Sequence, residues 1–242
     1  MVKWISHESS ELTFRVRILT GRPHLDWEFG MNSSFLILFD TNLRHVCYNK
    51  VRGEIMKYSK YYELIEEQAK IFDKTQNCQI GQTWKYHLLP VIQNACMLAE
   101  KYGADKDIVE VAAIFHDYAD LLDFANRENH HILGAELAEG VLIQDGFSQE
   151  FVDKVKLCII NHRASVVNQK FSKEEICVAD ADAMSHLDSV VELICWRAYL
   201  GEDISTCNKF VKTKIQKSYA KMSKESQQLM KDKYESIMRV LL

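Results

Sequence analysis

The chain has 242 residues, of which 47% are hydrophobic, so it is long enough to bury one large core. The formal net charge is -4 and basic residues form no stripe of the kind that tracks a nucleic-acid backbone, which argues against duplex nucleic acid as a partner. Only two prolines and nine glycines occur, and this scarcity favours long helices over a β-sandwich or a disordered chain.

The seven cysteines are odd in number, and no two of them form a CxxC pair. Several lie in apolar segments, which is typical of reduced, buried thiols. The first residues, MVKWISHESSELTF, lack the apolar core of a signal peptide, and the apolar runs are too short to span a bilayer. We therefore expect a cytoplasmic protein without a membrane partner.

The first 55 residues have the pattern of a small antiparallel β region. Apolar and polar residues alternate over 12–18, which is the period of a half-buried strand. Gly21 and Pro23 indicate a turn after it. Short apolar runs at 35–39 and 44–48 predict two further strands.

From residue 56 to 242 the pattern is helical, and it predicts one domain of roughly six to eight helices. Apolar residues recur every three or four positions in the segments 84–102, 105–116, 133–141, 151–159 and 184–194. A polar, lysine-rich tail at 209–239 predicts one or two surface helices. The fold class is therefore mainly α.

Histidines and aspartates lie on these apolar faces, where polar side chains are rare unless they are paired or bind a metal. His87 and His162 continue apolar stripes, His116–Asp117 ends an apolar run, and Asp182 follows another. A single inward histidine is more often a hydrogen-bonded core residue than a ligand. The ordered set favours a shared divalent metal, and its nitrogen and oxygen donors suit Mn, Ni, Fe, Zn or Mg.

The segment HLLPVIQNACMLAEKYGADKDIVEVAAIFHDYAD resembles the opening of the HD-domain superfamily of metal-dependent phosphohydrolases. The hallmark of that family is a His, a His-Asp doublet and a distant Asp, which match His87, His116–Asp117 and Asp182 within VADADAM. The segments HHILGAELA and IINHRAS resemble two intermediate motifs. The resemblance covers residues 80–200 and implies an HD-domain helical bundle that cleaves a nucleotide or similar small phosphoester with a metal-activated water.

The resemblance also implies roles for single residues. The metal ligands are His87, His116, Asp117 and Asp182. An acidic residue three positions after the doublet is the general acid or base in some relatives, so Asp120 is the catalytic candidate beside Asp117. The alternative for Asp120 is a solvated carboxylate at a helix end.

A further group of residues is implied to hold a second metal or to line the phosphate site. It contains His162 and either His130 or His131, because the spacing to Gly134 does not decide between the two. Arg163 is a candidate for pairing with phosphate, although a surface position is its ordinary interpretation. His186, four residues after Asp182, is expected at most to support the ligands.

Two positions depart from the family pattern, because Pro90 and Ala183 stand where many relatives have a basic residue. Two alternatives to the phosphohydrolase therefore stay open: an HD-fold diiron oxygenase that uses the same ligand order, and a non-catalytic nucleotide-binding module. The sequence also leaves open the metal, the substrate and whether the chain forms a homodimer.

Overall fold

The structure is a computed structural model that describes residues 57–75, 82–163 and 170–241, together with the backbone of two short strands. The strands β1 (Thr13–Arg15) and β2 (Glu28–Gly30) pair antiparallel. The first of them falls inside the strand predicted at 12–18, whereas those predicted at 35–39 and 44–48 lie outside the described residues. Contacts divide the chain into the units Met1–Met56 and Lys57–Leu242, and the domain boundary at residue 55 stays a prediction.

The described part of the second unit is helical, which confirms the mainly α fold class. Its α-helices are α1 (Ser59–Thr75), α2 (Leu89–Tyr102), α3 (Lys106–Phe115), α4 (Tyr118–Leu122), α5 (His130–Gln144), α6 (Gln149–Asn161), α7 (Lys173–Asp188), α8 (Val190–Tyr199), α9 (Ile204–Lys221) and α10 (Lys224–Val240). A π-helical turn, Trp84–Leu88, precedes α2, and a 3-10 turn, Phe124–Glu128, precedes α5. None of the described helices is long and apolar enough to cross a membrane.

The described residues thus contain ten α-helices, more than the six to eight predicted. One reason is the apolar segment 184–194, which reads as one helix but breaks at Ser189 between α7 and α8. Another is the short helix α4, which follows directly after the His116–Asp117 doublet. Periodicity cannot detect breaks of this kind, because the apolar stripe continues across them.

Helix α7 is the centre of the bundle. Every residue from Cys177 to Ser185 is buried, and α7 packs along α2 while also contacting α3, α6 and α9. A helix that is buried on all sides has no solvated face, so its aspartates must find partners inside the protein. Asp180 and Asp182 are both in this position.

The helix boundaries around the doublet are set by local sequence. The Asp105 side chain caps α3 by accepting hydrogen bonds from the backbone N–H groups of Asp107 and Ile108. Helix α5 approaches the other end of α3 at Gly134, where a Cβ atom would lie 3.6 Å from the backbone oxygen of His116. The close approach brings the start of α5 beside the doublet.

Candidate metal centre

Helix ends and junctions deliver most of the predicted ligands to one place. His116 and Asp117 occupy the break between α3 and α4, and His130 is the first residue of α5. His162 directly follows α6, while His87 lies in the π-helical turn before α2. Asp182 is contributed by the interior of the buried helix α7.

The Asp117 carboxylate lies between two pairs of imidazole rings. Its Oδ2 atom is 3.0 Å from His87 Nε2 and 3.3 Å from His116 Nε2. Its Oδ1 atom is 3.3 Å from His130 Nε2 and 3.6 Å from His162 Nε2. Asp182 Oδ1 lies 3.8 Å from His87 Nε2, on the first side. One carboxylate therefore faces two adjacent groups of nitrogen donors.

Backbone carbonyls fix the tautomer of three of these histidines. The Nδ1 atoms of His116, His130 and His162 donate to the carbonyl oxygens three residues earlier, at 2.8, 2.7 and 2.5 Å. A carbonyl oxygen only accepts, so Nδ1 carries the proton and Nε2 presents a lone pair.

The fourth histidine, His87, is fixed by a side chain instead. Its Nδ1 atom lies 3.1 Å from Ser185 Oγ, and the Ser185 hydroxyl donates to the Asp182 backbone oxygen at 2.7 Å. The serine oxygen is therefore free to accept from His87, which leaves Nε2 of His87 as a lone pair as well.

In their neutral forms these rings direct Nε2 lone pairs toward one another and toward Asp117. His87 Nε2 is 3.4 Å from His116 Nε2, and His130 Nε2 is 3.2 Å from His162 Nε2. Acceptors packed this closely, beside a carboxylate, repel one another unless a cation lies between them. The donor atoms of the groups His87–His116–Asp117 and Asp117–His130–His162 lie within 4.8 Å of one another. The donor set therefore fits one or two divalent ions.

The protonation equilibria show how strongly the centre favours positive charge. Burial disfavours a charged His116 ring, but the Asp117 carboxylate outweighs burial and raises the pKa of His116 to about 9. Burial likewise opposes ionisation of Asp182, yet the charges of His186 and His87 lower its pKa to about 2. A divalent ion would compete with protons for the same lone pairs.

Asp120 lies in α4, beside the centre but outside its ligand groups. Its Oδ1 atom is buried and has no hydrogen-bond partner among the described residues, and Oδ2 lies 3.7 Å from Arg127 Nη1. Burial, followed by repulsion from Asp117, raises the pKa of Asp120 to about 6. This carboxyl can therefore exchange a proton close to neutral pH, and it is not the solvated carboxylate of the alternative interpretation.

Two of the sequence candidates lie apart from the centre. His131 points into the protein, where its Nδ1 atom has no partner among the described residues, and it belongs to none of the ligand groups. His130, not His131, is the histidine beside Asp117. Arg163 bonds to the backbone oxygen of Glu128 and to its carboxylate, Nη2 to Oε2 at 2.8 Å.

Three residues near the centre were missed or undervalued by sequence reasoning. His186 stacks on His87 with ring centroids 5.7 Å apart and forms a third potential ligand group with His87 and Asp182. Ser185 lies within hydrogen-bond distance of His87, and its position three residues after Asp182 was the only sequence signal for this role. Lys214 belongs to the polar tail and interacts electrostatically with Asp182, and no local sequence pattern predicts this interaction.

Comparisons with known proteins agree with this geometry. The model of the HD domain family matches residues 84–187, a range that includes all six clustered ligand positions and all but the last residue of the buried helix α7. An uncharacterised protein of Clostridium beijerinckii is 30% identical over 79 residues, which are 32% of this chain and 50% of that protein. The chain thus spans about half the length of this curated relative.

A solved structure with a similar fold comes from an uncultured Thermotogales bacterium and is described as a predicted HD superfamily hydrolase. It superposes with a TM-score of 0.53 and 20% identity, covering 80% of this chain and 94% of its own. At that identity the likeness establishes the fold alone. Residues 84–187 of this chain thus match the HD domain, and the solved structure shares the fold.

Proposed function

We propose that the protein is a metal-dependent phosphohydrolase that cleaves a nucleotide or similar small phosphoester. The observation that carries the proposal is the Asp117 carboxylate between two pairs of inward lone pairs, because adjacent divalent ions are the usual clamp for phosphoryl transfer. The HD domain supports the same reaction class.

Each side of Asp117 has its own set of donors. His87, His116 and Asp182 would hold one ion with Asp117 Oδ2, and His130 and His162 would hold the other with Oδ1. Bound metal would supply a hydroxide from water near neutral pH and neutralise charge on the phosphoryl oxygens. The protein orients these donor side chains through the hydrogen bonds of Ser185 and of the backbone carbonyls.

Asp120 is suited to move a proton in this reaction. It is close to the centre, excluded from the ligand groups and half protonated near pH 6 in the absence of metal. We assign it the donation of a proton to the leaving oxygen of the ester, since an alkoxide is a poor leaving group without one.

The test begins with protein purified without chelator. Metal per chain is measured, and phosphomonoesters and phosphodiesters, nucleotides among them, are screened for hydrolysis. We expect turnover that Asp117→Ala abolishes together with metal binding, while Asp153→Ala, a change at an exposed carboxylate on α6, retains both. Metal-loaded protein that hydrolyses none of these esters would refute the proposal.

One observation favours a second candidate, an HD-fold diiron oxygenase. Four histidines and two aspartates, with one carboxylate shared, also suit two iron ions. Anaerobic loading with iron distinguishes the candidates. Two irons per chain, with an optical spectrum that changes on exposure to oxygen, would support the oxygenase. Phosphoester turnover with Mn or Mg alone would exclude iron as a requirement.

A further inference from the structure

Helix α9 lies beside the metal centre and is anchored to it by a hydrogen bond. Ser218 Oγ on α9 is 3.0 Å from His186 Nδ1, and the His186 ring stacks on His87. The helix also packs against α7, which carries Asp182. The polar tail forms two helices, as predicted, and the face of α9 that carries Val211, Ile215 and Ser218 is buried.

The anchored face of α9 carries two lysines. Lys214 and Lys221 lie four residues before and three residues after Ser218, so all three side chains lie along one stripe of the helix. Both lysines are half-buried, whereas Lys209, on another side of α9, is exposed. Over seven residues a helix rises about 10 Å, so the two lysines form a row that leads along the helix.

The charges around the row place its two members at different depths. Lys214 is attracted by Asp182, Asp117 and Glu192 and is repelled by Arg127. Lys221 is attracted by Asp182 and repelled by Lys214, Lys217 and Lys170. Lys214 is the more deeply buried of the two and is attracted by both aspartates, whereas the less buried Lys221 has three further lysines around it.

Neither lysine forms a salt bridge with a carboxylate of the described residues. Burial lowers the pKa of Lys214 and that of Lys221, the latter to about 8, so the structure gains nothing in stability from charging them. The carboxylates that attract them, Asp117 and Asp182, are the same ones that a divalent ion would use. Once these are metal ligands, the two lysines need another counter-charge.

We propose that Lys214 and Lys221 bind consecutive phosphate groups of the substrate, so that the site takes a molecule with two or more linked phosphates. Lys214 contacts the phosphate nearest the metal centre, and Lys221 contacts the next one outward. A row of ammonium groups suits this ligand, because each lysine contributes a point charge to a separate phosphate. The inference deepens the proposed function and rests on it for the identity of the site.

The experiment compares orthophosphate with pyrophosphate as ligands of the full-length, metal-loaded protein. Dissociation constants are measured by calorimetry, and the metal content is measured again after each titration because pyrophosphate also binds metal. The variants are Lys214→Met and Lys221→Met, with Lys209→Met as the matched control on the exposed side of α9. Methionine keeps the unbranched stem and removes the charge.

We expect the wild type to bind pyrophosphate more tightly than orthophosphate. Lys214→Met should weaken both ligands by about tenfold or more, the usual effect of losing a charged hydrogen bond. Lys221→Met should weaken pyrophosphate by a similar factor and leave orthophosphate nearly unchanged, and Lys209→Met should change neither. Equal losses for both ligands in Lys221→Met, or wild-type binding in Lys214→Met, would overturn the inference.

These outcomes separate the inference from the proposed function. If the variants show the expected differences in phosphate and pyrophosphate binding but the protein hydrolyses no phosphoester, the role of the two lysines would stand and the proposed hydrolase activity would be refuted. Hydrolysis that depends on Asp117 but is indifferent to both lysines would do the reverse. Unfolding temperatures of the three variants identify any loss that comes from misfolding.

Discussion

At the scale of single residues, the centre depends on which atom of each histidine faces inward. Three Nδ1 atoms donate to the carbonyl three residues earlier, and His87 Nδ1 is held by Ser185. Each of these hydrogen bonds is formed by Nδ1, on the side of the ring that faces away from Asp117. The result is four Nε2 atoms around one carboxylate, an arrangement that is favourable only with bound positive charge, either protons or a metal ion.

The adjacent pair His130 and His131 allows a direct test of the second group of donors. His130 Nε2 faces Asp117, whereas His131 is packed in the protein outside the ligand groups. We expect His130→Gln to lower the metal content from two ions to one, because the remaining donors on that side are too few to hold an ion. His131→Gln should retain both ions, as measured by elemental analysis of dialysed protein. Equal metal loss in the two variants would contradict the assignment of His130.

Asp120 gives a pH-dependent prediction for the metal-free protein. Its pKa is raised from 3.8 to about 6 by burial and by Asp117, so between these pH values the folded state keeps a proton that the unfolded state has lost. Stability from this group therefore falls as pH rises through that window, and the full cost is present at pH 7. Asp120→Asn carries no charge and should stabilise the metal-free protein at pH 7 by about 1 kcal/mol, after allowance for partial exposure.

The measurement is thermal unfolding of both metal-free proteins at two pH values. At pH 7 the Asp120→Asn variant should melt a few degrees above the wild type, and near pH 4 the gain should vanish. The same variant, loaded with metal, should lose hydrolysis by about a hundredfold or more if Asp120 moves the proton. A stability gain that does not depend on pH would rule out the raised pKa as its cause.

At the scale of elements, the buried helix α7 carries two aspartates with different partners. Asp182 turns toward His87 at the centre. Asp180 turns toward the start of α10, where it accepts from the Ser223 backbone N–H at 3.1 Å and from the Ser223 hydroxyl at 2.5 Å. Two residues along a helix rotate a side chain by more than half a turn, so the pair serves two opposite neighbours.

This division predicts separable effects of two substitutions on one helix. Asp180→Ala removes charge-assisted hydrogen bonds that tie α10 to α7, and it should cost about 2 kcal/mol of the free energy of unfolding. The metal content of this variant should remain that of the wild type. Asp182→Ala should instead lose metal from the His87 side. Urea unfolding and elemental analysis of both variants check the pair, and metal loss in Asp180→Ala would contradict it.

At the scale of the whole molecule, the centre joins elements that are distant along the chain. Its donors extend from residue 87 to residue 182, and they come from the neighbourhoods of five helices. A ligand that connects so many elements, and that binds only the folded state, stabilises all of them together. A metal ion bound at this centre would therefore cross-link these five helices.

Metal removal should accordingly lower the stability of the whole bundle. An ion bound at a hundred to a thousand times its dissociation constant contributes roughly 3 to 4 kcal/mol, so a chelator should lower Tm by several degrees. The same chelator should leave the Tm of Asp117→Ala almost unchanged, because that variant lacks the shared carboxylate. A wild-type Tm that is indifferent to both chelator and added metal would show that the centre holds no ion.

The sequence by itself determined the class of fold and the candidate ligands of this protein. Helical periodicity needs only local order, and the spacing of His87, His116–Asp117 and Asp182 on successive apolar faces is a property of the chain alone. The HD resemblance used the same residues, and the family match confirms it. The roles of the individual site residues stay predictions that the experiments above address.

Only the tertiary structure decided which neighbours those residues meet. Sequence spacing left His130 and His131 equivalent, and the close approach of α5 to α3 at Gly134 separates them. The bridging position of Asp117 and the lysine row of α9 likewise depend on how helices pack. The pattern of one helix shows which of its side chains face the core. It does not show which side chains of other helices they meet there, because that depends on how the helices pack together.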